Sequence, residues 1–322
     1  MLILIKWPLA ITYKPYSEIM KKFSYLNSLF LLTFLLFSCA EQDVQIIDED
    51  AEPRIISEGH QFTEGPYWHP DEYLLFSDIP ANRIYRWSPE TESSEVFLEP
   101  SGNANGIQAD IDGSVIIAQH AGRLSRITND GDLEILIDNY EGSRLNSPND
   151  LTVHSNGTIY FTDPPFGVEE EKRELDFSGV FRFTPDGELT YFYDEFDYPN
   201  GIILSRDESL LYVNDSETGR ITVFDVDADG VPSNPRLFAS VDPWDDGGAA
   251  DGMVVDTDGR LYSTGPAGIS VFDVDGNHLQ DISFPQQVSN LEWSGDEPGV
   301  MYITSRDLVY RLQFNVEGHK VR

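Results

Sequence analysis

The sequence holds one cysteine in 322 residues, Cys39. It permits no intramolecular disulfide, no cysteine-ligated metal cluster and no thiol nucleophile within an exported fold. Basic residues are scarce as well: 21 Lys and Arg stand against 56 Asp and Glu. That balance excludes the basic footprint of a nucleic-acid-binding protein. It also argues against attraction to an anionic membrane surface by charge. Helical periodicity is nearly absent after residue 55, which sets aside helical and α/β folds.

The chain has one pronounced apolar run near its start, 29–37, too short to span a bilayer comfortably. Lys21 and Lys22 precede it, and Ser38-Cys39 follows. This is the layout of a secretory signal. Leu36-Phe37-Ser38-Cys39 resembles a bacterial lipobox, with Phe37 where a small residue is commonest. Cys39 is then the lipidated first residue of the mature chain, attached to a membrane facing the periplasm or the cell exterior. Met20 fits the start of that signal better than Met1. The expected organisation is a signal segment over 1–38, an acidic tether over 39–54 and one folded domain over 55–322. Residues 39–322 carry 17 basic and 55 acidic side chains, which keep an exported protein soluble and supply carboxylates for a metal.

What fills 55–322 is a repeat. EGPYWHPDEYLLFSD begins at Glu64, NGIQADIDGSVIIAQH at Asn105 and NDLTVHSNGTIYFTD at Asn149. NGIILSRDESLLYVND begins at Asn200, DGMVVDTDGRLYST at Asp251 and NLEWSGDEPGVMYITS at Asn290. Their first residues lie 41, 44, 51, 51 and 39 positions apart, around the period of a propeller blade. Each segment reads as a strand, a turn at Asp, Asn or Gly, and a returning strand rich in β-branched and aromatic residues. The expected fold is all-β, a six-bladed β-propeller of four-stranded blades around a central channel.

The innermost strand of each blade lines that channel. Glu64, Asn105, Asn149, Asn200, Asp251 and Asn290 therefore form a ring at one rim, and all six side chains carry oxygen. Burying so many polar groups without partners is costly. A shared hard cation resolves that cost, and calcium takes about six to eight oxygens. Glu64 and Asp251 balance its two charges. The returning strands bring Asp78, His120, Asp163, Asp215, Thr264 and Ser305 to the same rim as a second tier. An acidic, histidine-bearing ring over a cation suits acid–base chemistry. Any single member, taken alone, reads equally well as a turn-forming strand start.

Several short stretches carry a resemblance: Glu64-Gly65-Pro66, Leu75-Phe76-Ser77-Asp78-Ile79-Pro80, Gly102-Asn103-Ala104-Asn105-Gly106 and Ser147-Pro148-Asn149-Asp150. Tyr160-Phe161-Thr162-Asp163-Pro164-Pro165, Pro199-Asn200-Gly201 and Ala250-Asp251-Gly252-Met253 continue it. By these the chain resembles the gluconolactonase and senescence-marker-protein (regucalcin) family of six-bladed propellers. The resemblance implies a divalent cation, calcium foremost, on Glu64, Asn149, Asn200 and Asp251. It also implies hydrolysis of a sugar lactone, and places Asn105 and His120 at the substrate mouth. The implied mechanism has the metal polarise the lactone carbonyl while a water attacks. Asp251 or Asp215 takes the proton, His120 assists the leaving alkoxide, and Asn105, Asn290 and Asp163 hold the substrate.

Two other readings remain open at this point: the same metal acting on an ester or phosphotriester, and a non-catalytic propeller that binds carbohydrate or protein. Residues 225–230 look like the start of an EF-hand loop, but Arg236 stands where the twelfth-position Glu would be, so a turn is expected. The acidic stretch 242–248 is expected to be a solvated loop, with a flap over the channel mouth or a second cation site as the alternatives.

Overall fold

The computed structural model describes residues 45–241, 250–265 and 268–319. The signal segment, Cys39 and the acidic stretch 242–248 lie outside the described residues. From Ile46 onward the chain forms six four-stranded antiparallel sheets arranged as a six-bladed β-propeller. The inner strands of blades 1 to 6 are Thr63–His69, Ala104–Ala109, Leu151–Val153, Pro199–Leu204, Met253–Val255 and Asn290–Trp293. Each runs from the channel mouth to the opposite face. There a tight hairpin returns it to the mouth, as at Val115–Gln119 in blade 2.

Side chains alternate across each strand, so a blade offers one apolar face to each neighbour. Six clusters of buried hydrophobic residues result, one in each gap between blades. Ile116, Leu124, Leu151 and Phe161 fill the gap between blades 2 and 3. A buried side chain of this size contributes roughly 1.5–3 kcal/mol. The gap between blades 6 and 1 is aromatic: Trp68 stacks on Tyr302 at 5.0 Å, and Trp87 meets Tyr302 at 5.8 Å.

That last gap is where the ring closes. The outer strand of blade 6 is Arg54–Glu58, from the start of the domain, paired with the chain's last strand, Leu308–Gln313. Packing also begins earlier than the sequence pattern suggested. Ile46, inside the stretch read as a tether, is 3% exposed and belongs to the core of blades 5 and 6. Its carbonyl accepts the Asn315 backbone N–H at 2.9 Å. Ile47 and Ala51 pack on the same cluster. The acidic residues around them hid this short apolar pattern.

Candidate active site

Each ring residue sits at the mouth end of an inner strand. Glu64, Asn105, Asn149, Asn200 and Asn290 are buried, and Asp251 is half-buried. The ring closes this tightly because of the residue that follows several members. A Cβ on Gly201 would lie 2.2 Å from the Asp251 carbonyl oxygen. One on Gly252 would lie 1.9 Å from Asn290 Oδ1. Glycine lets neighbouring blades approach until their ring side chains touch.

The touching side chains form a circumferential network. Asn105 Nδ2 donates to Asn149 Oδ1, and Asn149 Nδ2 donates to Asn200 Oδ1, both at 2.5 Å. Asn290 Nδ2 donates to Glu64 Oε2 at 3.1 Å. The negative charge of Glu64 adds to the burial that raises Asp251. His120 Nε2 lies 3.1 Å from Asn149 Oδ1 and 3.3 Å from Asn105 Nδ2. Burial pulls His120 below its ordinary value, against the hydrogen bond to Asn149, so the imidazole is neutral near pH 7. The six ring members and His120 therefore come together as the sequence pattern indicated.

The rest of the second tier does something else. Asp78 accepts the backbone N–H groups of Gln61 and Phe62, at 3.0 and 3.2 Å. Asp163 accepts that of Asn146 at 2.8 Å. Asp215 accepts four, from Asp197, Tyr198, Glu217 and Thr218. All three are almost completely buried. Thr264 Oγ1 accepts the Asp251 N–H at 2.9 Å, and Ser305 Oγ donates to the Gln287 carbonyl at 2.7 Å. These side chains clamp the segments that lead into the inner strands. Asp215 is thus a clamp rather than a proton acceptor, and Asp163 is too deep to meet a substrate. In blade 2 the clamp is Gln119, whose Nε2 donates to the Ser101 carbonyl at 2.5 Å. His120 is one residue further on and turns into the ring. Its counterpart in blade 4 is Ser216, which accepts from Asn200 Nδ2 at 2.9 Å. Asn290 is also reassigned: Nδ2 goes to Glu64 and Oδ1 to the Leu291 N–H, so it positions Glu64 rather than substrate.

Two carboxylates escaped the sequence reading. Asp150 directly follows Asn149, and Glu292 lies two residues beyond Asn290, on the same strand face. Burial pushes Asp150 up to about 7. Burial, with a smaller contribution from Asp150, pushes Glu292 up to about 8. Burial likewise raises Glu64 and Asp251, and the negative charge of Asp150 adds to both. Among the described residues, no lysine or arginine is hydrogen-bonded or ion-paired to any of these four.

This donor set fits a hard dication. Glu64 and Asp251 bring two negative charges to a site without a positive one. Asn200 Oδ1 keeps a lone pair beyond its hydrogen bond from Asn149, whereas Asn149 Oδ1 accepts from Asn105 and faces His120 Nε2. No three His, Cys, Asp or Glu side chains converge on one point among the described residues. A cation here therefore relies on amide oxygens too, which suits a hard metal over a soft one.

The pattern of the SMP-30/Gluconolactonase/LRE-like region matches residues 62–307. A gluconolactonase of Zymomonas mobilis is 34% identical over 303 residues, covering 85% of this chain and 84% of that protein. The pentonolactonase XacC of Haloferax volcanii is 28% identical over 262 residues, 78% of this chain and 84% of its own. A solved gluconolactonase structure from Xanthomonas campestris superposes with a TM-score of 0.76 at 33% identity, covering 84% of this chain and 91% of that one.

Proposed function

Because the chain belongs to the SMP-30/gluconolactonase/LRE-like family, we propose that it is a divalent-cation-dependent hydrolase that opens sugar lactones. The observation that carries this reading is the pair of buried carboxylates, Glu64 and Asp251, facing each other in an oxygen-lined ring without a cationic side chain. Glu64, Asn149, Asn200 and Asp251 would hold the cation, with calcium the best match to their chemistry. When bound, such an ion polarises an ester carbonyl as a Lewis acid.

The residues of the chain supply the rest. Asp251 is the less buried of the two ring carboxylates, and burial raises its proton affinity. It accepts the proton of the water that adds to the lactone carbonyl. The ring C–O bond then breaks, and that proton passes to the leaving alkoxide, giving a hydroxy acid. His120, neutral near pH 7, hydrogen-bonds the leaving oxygen as it becomes an alcohol. Asn105 donates to Asn149 through Nδ2 and keeps its carbonyl for a substrate hydroxyl. The proposal includes export and anchoring through Cys39, on the layout of 20–39. A Cys39→Ala variant should leave the membrane fraction, and unchanged fractionation would remove that part.

The test uses the full chain in detergent, stripped with chelator and titrated with calcium. Glucono-δ-lactone and γ-butyrolactone are the substrates, followed by acid release at constant pH. Calcium-restored turnover of the sugar lactone is expected. Chelator-insensitive turnover would refute the cation, and a calcium-loaded protein that opens neither lactone would refute the lactonase.

A further inference from the structure

One connection at the mouth differs from the others. Between second and third strands, blades 1, 2 and 4 turn over 79–82, 120–122 and 216–219, whereas blade 3 runs from 164 to 178. This longer segment brings Phe166 to the rim. The Phe166 carbonyl accepts from Ser147 Oγ at 2.6 Å, two residues before Asn149. Tyr198 stands across from it, two residues before Asn200. Its N–H is held by Asp215 at 3.0 Å and its carbonyl by the Ser216 N–H at 2.9 Å. The two rings are 5.3 Å apart and tilted by 30°.

Both side chains are half-buried, and neither belongs to the clusters that fill the gaps around blades 3 and 4. The fold does not use them as core. They are fixed through their backbones beside Asn149 and Asn200, whose side chains are themselves hydrogen-bonded. A partly exposed aromatic pair held this firmly beside a polar ring is a surface for a ligand with one apolar and one polar aspect. A sugar ring has that character, with C–H groups on its faces and hydroxyls at its edge.

We propose that Phe166 and Tyr198 form an apolar wall of the substrate mouth. The wall packs against the C–H face of a sugar-derived lactone and favours such rings over small aliphatic lactones. This deepens the lactonase reading and rests on it for the substrate class.

The test is calorimetric binding of D-glucono-δ-lactam, a non-hydrolysable amide of the same ring, to the full chain in calcium. Phe166→Ala and Tyr198→Ala should each weaken binding about 10-fold, the scale of an aromatic contact. Tyr198→Phe, which keeps the ring, should bind like the parent. Phe166→Leu, which keeps bulk without the ring, should fall between parent and alanine and guards against misfolding. In turnover, the alanine variants should raise KM for glucono-δ-lactone and leave KM for γ-butyrolactone unchanged. Equal binding by parent and alanine variants would overturn the wall, as would a parent that does not bind the lactam. Ring-dependent lactam binding without turnover of any lactone would uphold the wall and refute only the lactonase.

Discussion

Carboxylates at the two ends of the channel behave in opposite ways. On the face away from the mouth, hairpin aspartates are surrounded by donors. Ser114, Ser209 and Asn277 hydrogen-bond Asp112, Asp207 and Asp273, and hold them below the usual carboxylate range. Asp256 is fully buried there, yet it is bonded by Arg260 at 2.8 Å and Tyr262 at 3.0 Å. At the mouth, Glu64, Asp150, Asp251 and Glu292 all lie above their ordinary values, and in each case burial is the largest cause. Residue type does not decide the direction. Burial together with the supply of donors does: the turn aspartates are largely exposed and surrounded by donors, while these four carboxylates are buried with few.

The sharpest way to break this contrast is Asp251→Asn. Turnover should fall by about three orders of magnitude, the scale of several kcal/mol of transition-state stabilisation. The same variant should melt higher than the parent in chelator, because a buried charge is gone. A lower melting temperature would contradict the donor-poor mouth.

Asp256→Ala makes the complementary cut. It leaves the Arg260 guanidinium, 14% exposed, without its buried partner. The loss should be about 3 kcal/mol, read as a lower urea midpoint at unchanged slope. kcat should be unaltered, and a matching loss of activity would mean that the two ends are not independent.

The remaining effect is a pH slope. In the unfolded chain Glu292 and Asp150 titrate near about 4. In the folded protein they titrate near 8 and 7. Between those values the unfolded state has released protons that the native state still holds. Metal-free stability therefore falls as pH rises from about 5 to 8. The depressed turn aspartates act oppositely, losing their contribution as pH falls below about 4. Urea midpoints in chelator should show the decline, and Glu292→Gln should flatten part of it. A flat parent profile would remove the mouth carboxylates from the account.

Much of the mouth was legible because the repeat is in register. Six strand starts at matching positions named Glu64, Asn105, Asn149, Asn200, Asp251 and Asn290, and all six meet. The division of labour behind them was not legible. Asp163 and Asp215 share hairpin positions with one another, and only the path of the preceding segment shows that each clamps backbone. His120 looked like one more member of that tier, but Gln119 holds the clamp position and frees it. Glu292 was within reach of strand alternation, since it shares a face with Asn290. The contact of Phe166 with Tyr198 was beyond the sequence, because two loops of different blades create it.

The closure of the ring has a consequence in time. Arg54 pairs with Arg311 and Glu58 with Leu308, so the first strand of the propeller meets the last. Contacts of such long sequence separation form slowly, since the whole intervening chain must be brought together first. Blade 6 stays one strand short until both ends are present, and the Trp68–Tyr302 stack between blades 6 and 1 cannot form before then. A nascent chain of this kind completes its propeller only once residues 308–313 have been made, which leaves the earlier blades without ring closure until then.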